Sequence, residues 1–314
     1  MLHPKIKEFQ DLLAKNPAKP QWESTPAEVR ASASQKWQPE YLGKADAVAK
    51  VEYRYISGPS AELPIKIYTP EGVGPFPAVV FFHGGGWVAG NIELNGVQHQ
   101  QLAHDARSVV VAVNYQKAPE HKFPIPFDDC YATLEWVAAN AHALHINSDE
   151  IGVAGDSAGG NLAAAVALKA RDKNGPKIAF QILIYPAVDY KFDYASMIEN
   201  ATGYSLTTQG MQWYWDQYLG LESDLNNPYF RPMVETNLKG LPPTFTLTAE
   251  LDPLRDEGEI FAKRLKDAGV TSVLKRYDSL IHGFVLMQGF LPEAREAIRD
   301  IAENIREFIS PRSR

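Results

Sequence analysis

The spacing of apolar residues changes along this chain, and each change marks a new element. Ile6, Phe9, Leu12 and Leu13 recur at helical spacing, followed to about residue 45 by a polar stretch rich in Pro, Ala, Ser and Gln. That pattern predicts a short amphipathic helix and then a loose connection. Val51, Tyr53 and Tyr55 alternate with Glu52 and Arg54, and Ile65 and Ile67 with Lys66 and Tyr68. Two half-buried strands forming an antiparallel edge are expected there. Short apolar runs come next, at 78–82, 109–113, 151–154, 178–185 and 245–248, with helical stretches at 127–140, 160–171 and 257–268 between them. Runs without polar alternation are strands covered on both faces, so the repeat predicts an α/β fold with a mostly parallel, doubly wound sheet. Residues 292–310 place Ala294, Ile298, Ile301, Ile305 and Phe308 on one stripe, a helix covering one sheet face.

Residues 189–234 interrupt the alternation. They carry Tyr190, Phe192, Tyr194, Tyr204, Trp213, Tyr214, Trp215, Tyr218, Tyr229 and Phe230 without any strand pattern. An insertion between strands of such a sheet lies at their C-terminal edge, where ligands bind, which makes this segment part of a cap. The chain then divides into an N-terminal part of the cap (1–45), a first part of the core (46–188), the cap insertion (189–234) and a second part of the core (235–314). The length of 314 residues alone would have pointed to two domains at about 150 residues each.

Charge and cysteine content narrow the function. With 31 basic against 38 acidic side chains and a net charge of −7, no basic block is formed, so nucleic acid is not an expected partner. Cys130 is the one cysteine, which excludes an intrachain disulfide and a cysteine-based metal cluster and fits a reducing, cytoplasmic setting. Lys5, Lys7, Glu8 and Asp11 break the apolar run that a signal peptide needs, and no stretch is long and apolar enough for stable membrane insertion. Asn200-Ala201-Thr202 matches a glycosylation sequon and is read as a chance match.

The chemistry is concentrated in short motifs. Gly155-Asp156-Ser157-Ala158-Gly159 follows one apolar run and opens a helix of small residues. A serine on such a tight strand-to-helix turn holds its Oγ out as a nucleophile, and the helix N-terminus favours negative charge beside it. His83-Gly84-Gly85-Gly86-Trp87 follows another run. Its glycines expose backbone N–H groups, the donors that a tetrahedral oxyanion requires. In the chain order nucleophile, acid, histidine, His282 is the one histidine of eight that follows Ser157. Asp252 is preferred as the acid because it directly follows the 245–251 segment; Glu250 is the runner-up, and a helix N-cap is the alternative role for Asp252. His142 and His145 could ligate a metal, but no third ligand accompanies them and a solvated helix end is the plainer reading. No dinucleotide or P-loop signature occurs, and no cofactor or metal is expected.

Together, His83–Trp87, Gly155–Gly160, Asp252-Pro253-Leu254-Arg255-Asp256-Glu257-Gly258 and His282-Gly283-Phe284 resemble the hormone-sensitive lipase family of α/β-hydrolases, in its bacterial esterase branch. The four blocks keep the family's order across about two thirds of the chain. The resemblance implies an α/β-hydrolase fold with a helical cap, a Ser157-Asp252-His282 triad, and an oxyanion hole from Gly84, Gly85, Gly86 and Ala158. It also implies a carboxylesterase working through an acyl-enzyme, and suggests a homodimer. Residues 114–121 resemble the family's Tyr-Arg-Leu-Ala-Pro-Glu-His stretch, with Gln116 and Lys117 as departures. Trp87, Trp213, Trp215 and Phe284 are expected to line an apolar pocket for a small ester of short to medium acyl chain. An amidase or deacetylase with the same triad is the alternative. A noncatalytic receptor is a more distant one, since the related gibberellin receptors lack the histidine that His282 supplies here.

Overall fold

A computed structural model describes residues 2–15 and 17–309. Among them, eight strands make one sheet: β1 (Lys50–Ser57), β2 (Glu62–Thr69), β3 (Phe76–Phe82), β4 (Val109–Val113), β5 (Ile146–Asp156), β6 (Gln181–Ile184), β7 (Thr244–Leu251) and β8 (Ser272–Ile281). Their spatial order is β1-β2-β4-β3-β5-β6-β7-β8. β2 runs antiparallel to both its neighbours, and every pair from β4 to β8 is parallel. The fold is the expected α/β-hydrolase sheet.

The helices are α1 (Pro4–Leu13), α2 (Pro26–Lys36), α3 (Pro39–Leu42), α4 (Gly96–Ala106), α5 (Ile125–Ala139), α6 (Ala158–Asp172), α7 (Ala195–Glu199), α8 (Thr208–Tyr218), α9 (Arg255–Asp267) and α10 (Pro292–Ile309). They form two layers. Ala78, Val80 and Phe82 of β3 pack with Leu134 of α5, Leu162 of α6 and Phe261 of α9. The intervening Val79 and Phe81 pack on the opposite side with Leu102 of α4, Ile298 of α10, and Ile6 and Phe9 of α1. Successive side chains of a strand point to opposite faces, so a strand covered on both sides is apolar at nearly every position, with Gln181 of β6 and Thr244, Thr246 and Thr248 of β7 as buried exceptions. The stripe predicted for the last helix is buried at Ala294, Ile298, Ile301 and Ile305; its predicted final residue, Ser310, lies outside the described residues.

Two local expectations are corrected. Val51, Tyr53 and Tyr55 face solvent, Tyr55 being 71% exposed, because β1 is the outer strand and neither helix layer reaches over that face. The stretch expected as a loose connection contains α2 and α3. Thr25 and Glu28 form a reciprocal capping box with Pro26 in the first turn, a strong local start signal. Since α2 buries only Val29, it has no apolar stripe by which periodicity could detect it. No helix among the described residues is long and apolar enough to cross a membrane.

Candidate active site

Ser157 sits between the end of β5 and the start of α6, with φ 57° and ψ −119°. A non-glycine residue in that region carries strain of about 1–3 kcal/mol, held here by packing that leaves the turn no room. A Cβ on Gly159 would lie 1.9 Å from the Phe82 carbonyl oxygen, and one on Gly155 would lie 2.1 Å from that of Gly159. The Ser157 N–H donates to the Ile184 carbonyl at 2.8 Å, tying the turn to β6.

His282 follows β8 and reaches both other predicted partners. Its Nε2 lies 2.9 Å from Ser157 Oγ and its Nδ1 lies 2.7 Å from Asp252 Oδ2. Asp252 is fully buried, and its Oδ1 accepts the Leu254 N–H at 2.9 Å. The carboxylate faces the histidine with one oxygen and holds the turn before α9 with the other; the N-cap itself is Leu254, so Asp252 does not take the expected capping position. Glu250 is engaged elsewhere, accepting the Ser279 N–H at 2.6 Å.

The backbone behind Asp252 is held from the insertion. Asn200 Nδ2 donates to the carbonyls of Glu250 and Asp252, both at 3.2 Å, and Ser196 Oγ donates to the Pro253 carbonyl at 2.7 Å. Sequence reasoning missed both as site residues. The sequon drew attention to Asn200 for a different reason, and its burial and these bonds agree with a chance match.

The glycine loop corrects one expected role. The Gly84 N–H is already used, donating to Asp156 Oδ1 at 2.9 Å, so it is not an oxyanion donor. Among the described residues, the N–H groups of Gly85, Gly86 and Ala158 have no protein partner. Gly86, at φ +62°, passes directly under the ring of Tyr214, where a Cβ would lie 2.2 Å from Cδ1. His83 anchors the start of the loop: its ring stacks on Tyr115, whose hydroxyl donates to the His83 carbonyl at 2.8 Å.

Asp156 links this loop to the nucleophile turn. Burial pushes its carboxyl from 3.8 up to about 6, opposed by the Gly84 N–H, the charge of His282 and the Asn95 amide. A group with a raised folded-state pKa stabilises the fold below its unfolded value and loses that contribution as pH rises through the folded one. Asp156→Asn keeps the Oδ1 acceptor and removes the ionisation. The variant should therefore gain on the wild type as pH rises, by about 3 kcal/mol across the whole window. Urea unfolding of both proteins at about pH 4 and about pH 8 captures most of this change; a constant difference would show that the buried carboxyl titrates where the unfolded one does.

Ser157 and His282 open onto a cavity of about 430 Å³. Gly84, Gly85 and Gly86 border it on the core side, Val29, Ala33 and Lys36 of α2 with Trp37 on another, and Leu206, Met211 and Tyr214 of the insertion on a third. The expected pocket aromatics are not in this wall. Trp87 and Trp215 are fully buried, with Trp87 stacked on Tyr218 at 4.5 Å and 4.4 Å from Trp215. Phe284 is buried against Tyr277 and Tyr185, and Trp213 packs on Tyr214. The reason lies in helical spacing: Met211, Trp215 and Tyr218 fall on one face of α8 and are buried, so two of its four aromatic residues seat the insertion on the core. His142 and His145 join no cluster of metal-ligating side chains among the described residues.

A serine on a strained strand-to-helix turn, beside a glycine loop at the C-terminal edge of this sheet, defines an α/β-hydrolase. The motifs and the comparisons narrow it further: the chain belongs to the hormone-sensitive lipase family of that fold. Residues 79–286 match the family model described as alpha/beta hydrolase fold. The chain is 40% identical over 243 residues to the carboxylic ester hydrolase LipN of Mycobacterium tuberculosis, a match covering 73% of this chain and 63% of that protein, just under two thirds of its length. It is 38% identical over 242 residues to the carboxylesterase NlhH of the same organism, covering 75% of each. Among solved structures, a hyperthermophilic esterase from the archaeon Pyrobaculum calidifontis superposes with a TM-score of 0.93 at 37% identity, over 98% of both chains.

Proposed function

We propose that this protein is a serine carboxylesterase acting on small esters of short to medium acyl chain through an acyl-enzyme. The observation that carries the reading is the continuous Asp252-His282-Ser157 hydrogen-bond chain, at 2.7 and 2.9 Å, opening onto a cavity. His282 Nε2 takes the Ser157 proton as Oγ attacks the ester carbonyl, and returns it to the departing alcohol. Asp252 holds the ring so that Nδ1 carries the other proton, and it stabilises the imidazolium formed during attack. The free N–H groups of Gly85, Gly86 and Ala158 are the donors for the oxyanion. Water, activated by the same histidine, then cleaves the acyl-enzyme. The N-terminal segment and the insertion act as the cap, and the small cavity they share favours short acyl groups. No cofactor enters this scheme.

A para-nitrophenyl ester series of increasing acyl length, run beside matched anilides and fluorophosphonate labelling, tests the reading. The expected result is hydrolysis that peaks at short to medium chains, exceeds anilide cleavage and is blocked when the probe labels Ser157. Preferential anilide cleavage would favour the amidase alternative, and failure of the probe to label Ser157 would overturn the mechanism.

A further inference from the structure

The cavity wall contains a lysine that the proposed mechanism does not use. Lys36 closes α2, and its Nζ donates to Ser205 Oγ at 2.6 Å. Nζ lies 4.9 Å from the centre of the Trp37 ring and 6.0 Å from that of Phe9. Among the described residues, no carboxylate comes within ion-pair distance of it, and burial draws its ammonium down to about 8 with no opposing charge to restore it. The other lysine in the wall, Lys19, has Glu28 at 3.9 Å.

A half-buried ammonium without an anion gives up part of its hydration, and a serine hydroxyl with two aromatic faces only partly replaces it. Its position ties it to the reaction centre. Both Lys36 and Ser205 border the cavity that holds Ser157. Trp37, under the ammonium, packs on Gly283, where a Cβ would lie 3.3 Å from Trp37 Cζ2; Gly283 directly follows His282. The ammonium is therefore separated from the residue that follows His282 by the Trp37 ring, shares the cavity with Ser157 and His282, and is bonded to the insertion through Ser205.

We infer that the preferred substrate is an ester carrying a carboxylate, which is held by Lys36 Nζ and Ser205 Oγ while the ester carbonyl lies at Ser157. This inference rests on the esterase reading and adds an anionic group to the small ester it names. The carboxylate can belong to the acyl or the alcohol part, and two matched pairs separate these. Mono-para-nitrophenyl glutarate is compared with para-nitrophenyl pentanoate, and para-acetoxybenzoate with para-tolyl acetate.

In at least one pair, Lys36→Met should lower kcat/KM for the anionic ester about tenfold or more beyond its effect on the neutral twin, the loss of one charge-assisted hydrogen bond. Lys36→Arg should recover part of that difference, and added salt should raise KM for the anionic ester alone. A wild type that hydrolyses the neutral esters while Lys36→Met shifts both members of each pair equally would overturn the inference. A wild type that hydrolyses none of the four would count against the esterase reading itself.

Discussion

Ser157→Ala is expected to reduce ester turnover by about 10⁴-fold or more, with the thermal melt close to that of the wild type. Removing Oγ removes the attacking atom, and neither the oxyanion donors nor the cavity can substitute for it. The turn itself should persist, because it is set by the Gly155 and Gly159 contacts and the Ser157 N–H bond to Ile184. Whatever rate remains measures the free N–H groups and substrate positioning alone. Steady-state rates with para-nitrophenyl acetate, checked for trace wild-type contamination by fluorophosphonate titration, give the value. A variant retaining a tenth or more of the wild-type rate would exclude Ser157 as the nucleophile.

Asp252→Asn should cost about 10⁴-fold in kcat, the effect of stabilising the wrong histidine tautomer. Oδ1 accepts the Leu254 N–H and Oδ2 faces His282 Nδ1. An asparagine that keeps its oxygen towards Leu254 must turn its NH₂ towards His282. Nδ1 then has to accept, the ring proton moves to Nε2, and the base for Ser157 is lost. Near-normal stability with a collapsed kcat is the expected signature, measured by thermal melts and pre-steady-state kinetics. If Asp252→Asn proves harmless while Glu250→Gln abolishes activity, the acid has been misassigned.

Much of this site was legible from residue order and spacing. The Gly155-to-Gly159 block and the His83-to-Trp87 block name their own turns, because each glycine fills a place where a side chain cannot fit. His282 followed from chain order. Asp252 needed only the rule that useful residues lie just beyond the C-terminal ends of strands. Core strands were legible for the same kind of reason, since a strand between two helix layers has few polar positions and no polar alternation of the surface kind.

The cavity wall was not legible, because aromatic content does not reveal which face of a helix a residue occupies. Trp215 and Trp87 are buried against each other, and the cavity is bordered instead by α2, whose sequence of Ala, Ser, Gln and Lys has no apolar period to announce it. Gly84 was misread for a related reason. A run of glycines offers several identical N–H groups, and only the position of Asp156 decides which one is consumed.

Ser196 and Asn200 join the insertion to the backbone that carries Asp252. In engineering terms, the 189–234 insertion is not an exchangeable cassette. A segment grafted from a relative at residue 189 would import new ends for those three hydrogen bonds and so disturb the backbone of Asp252 along with the cavity. A chimera that changes the pocket and leaves the triad backbone as it is should keep residues up to Asn200 from the parent and begin the exchange beyond them.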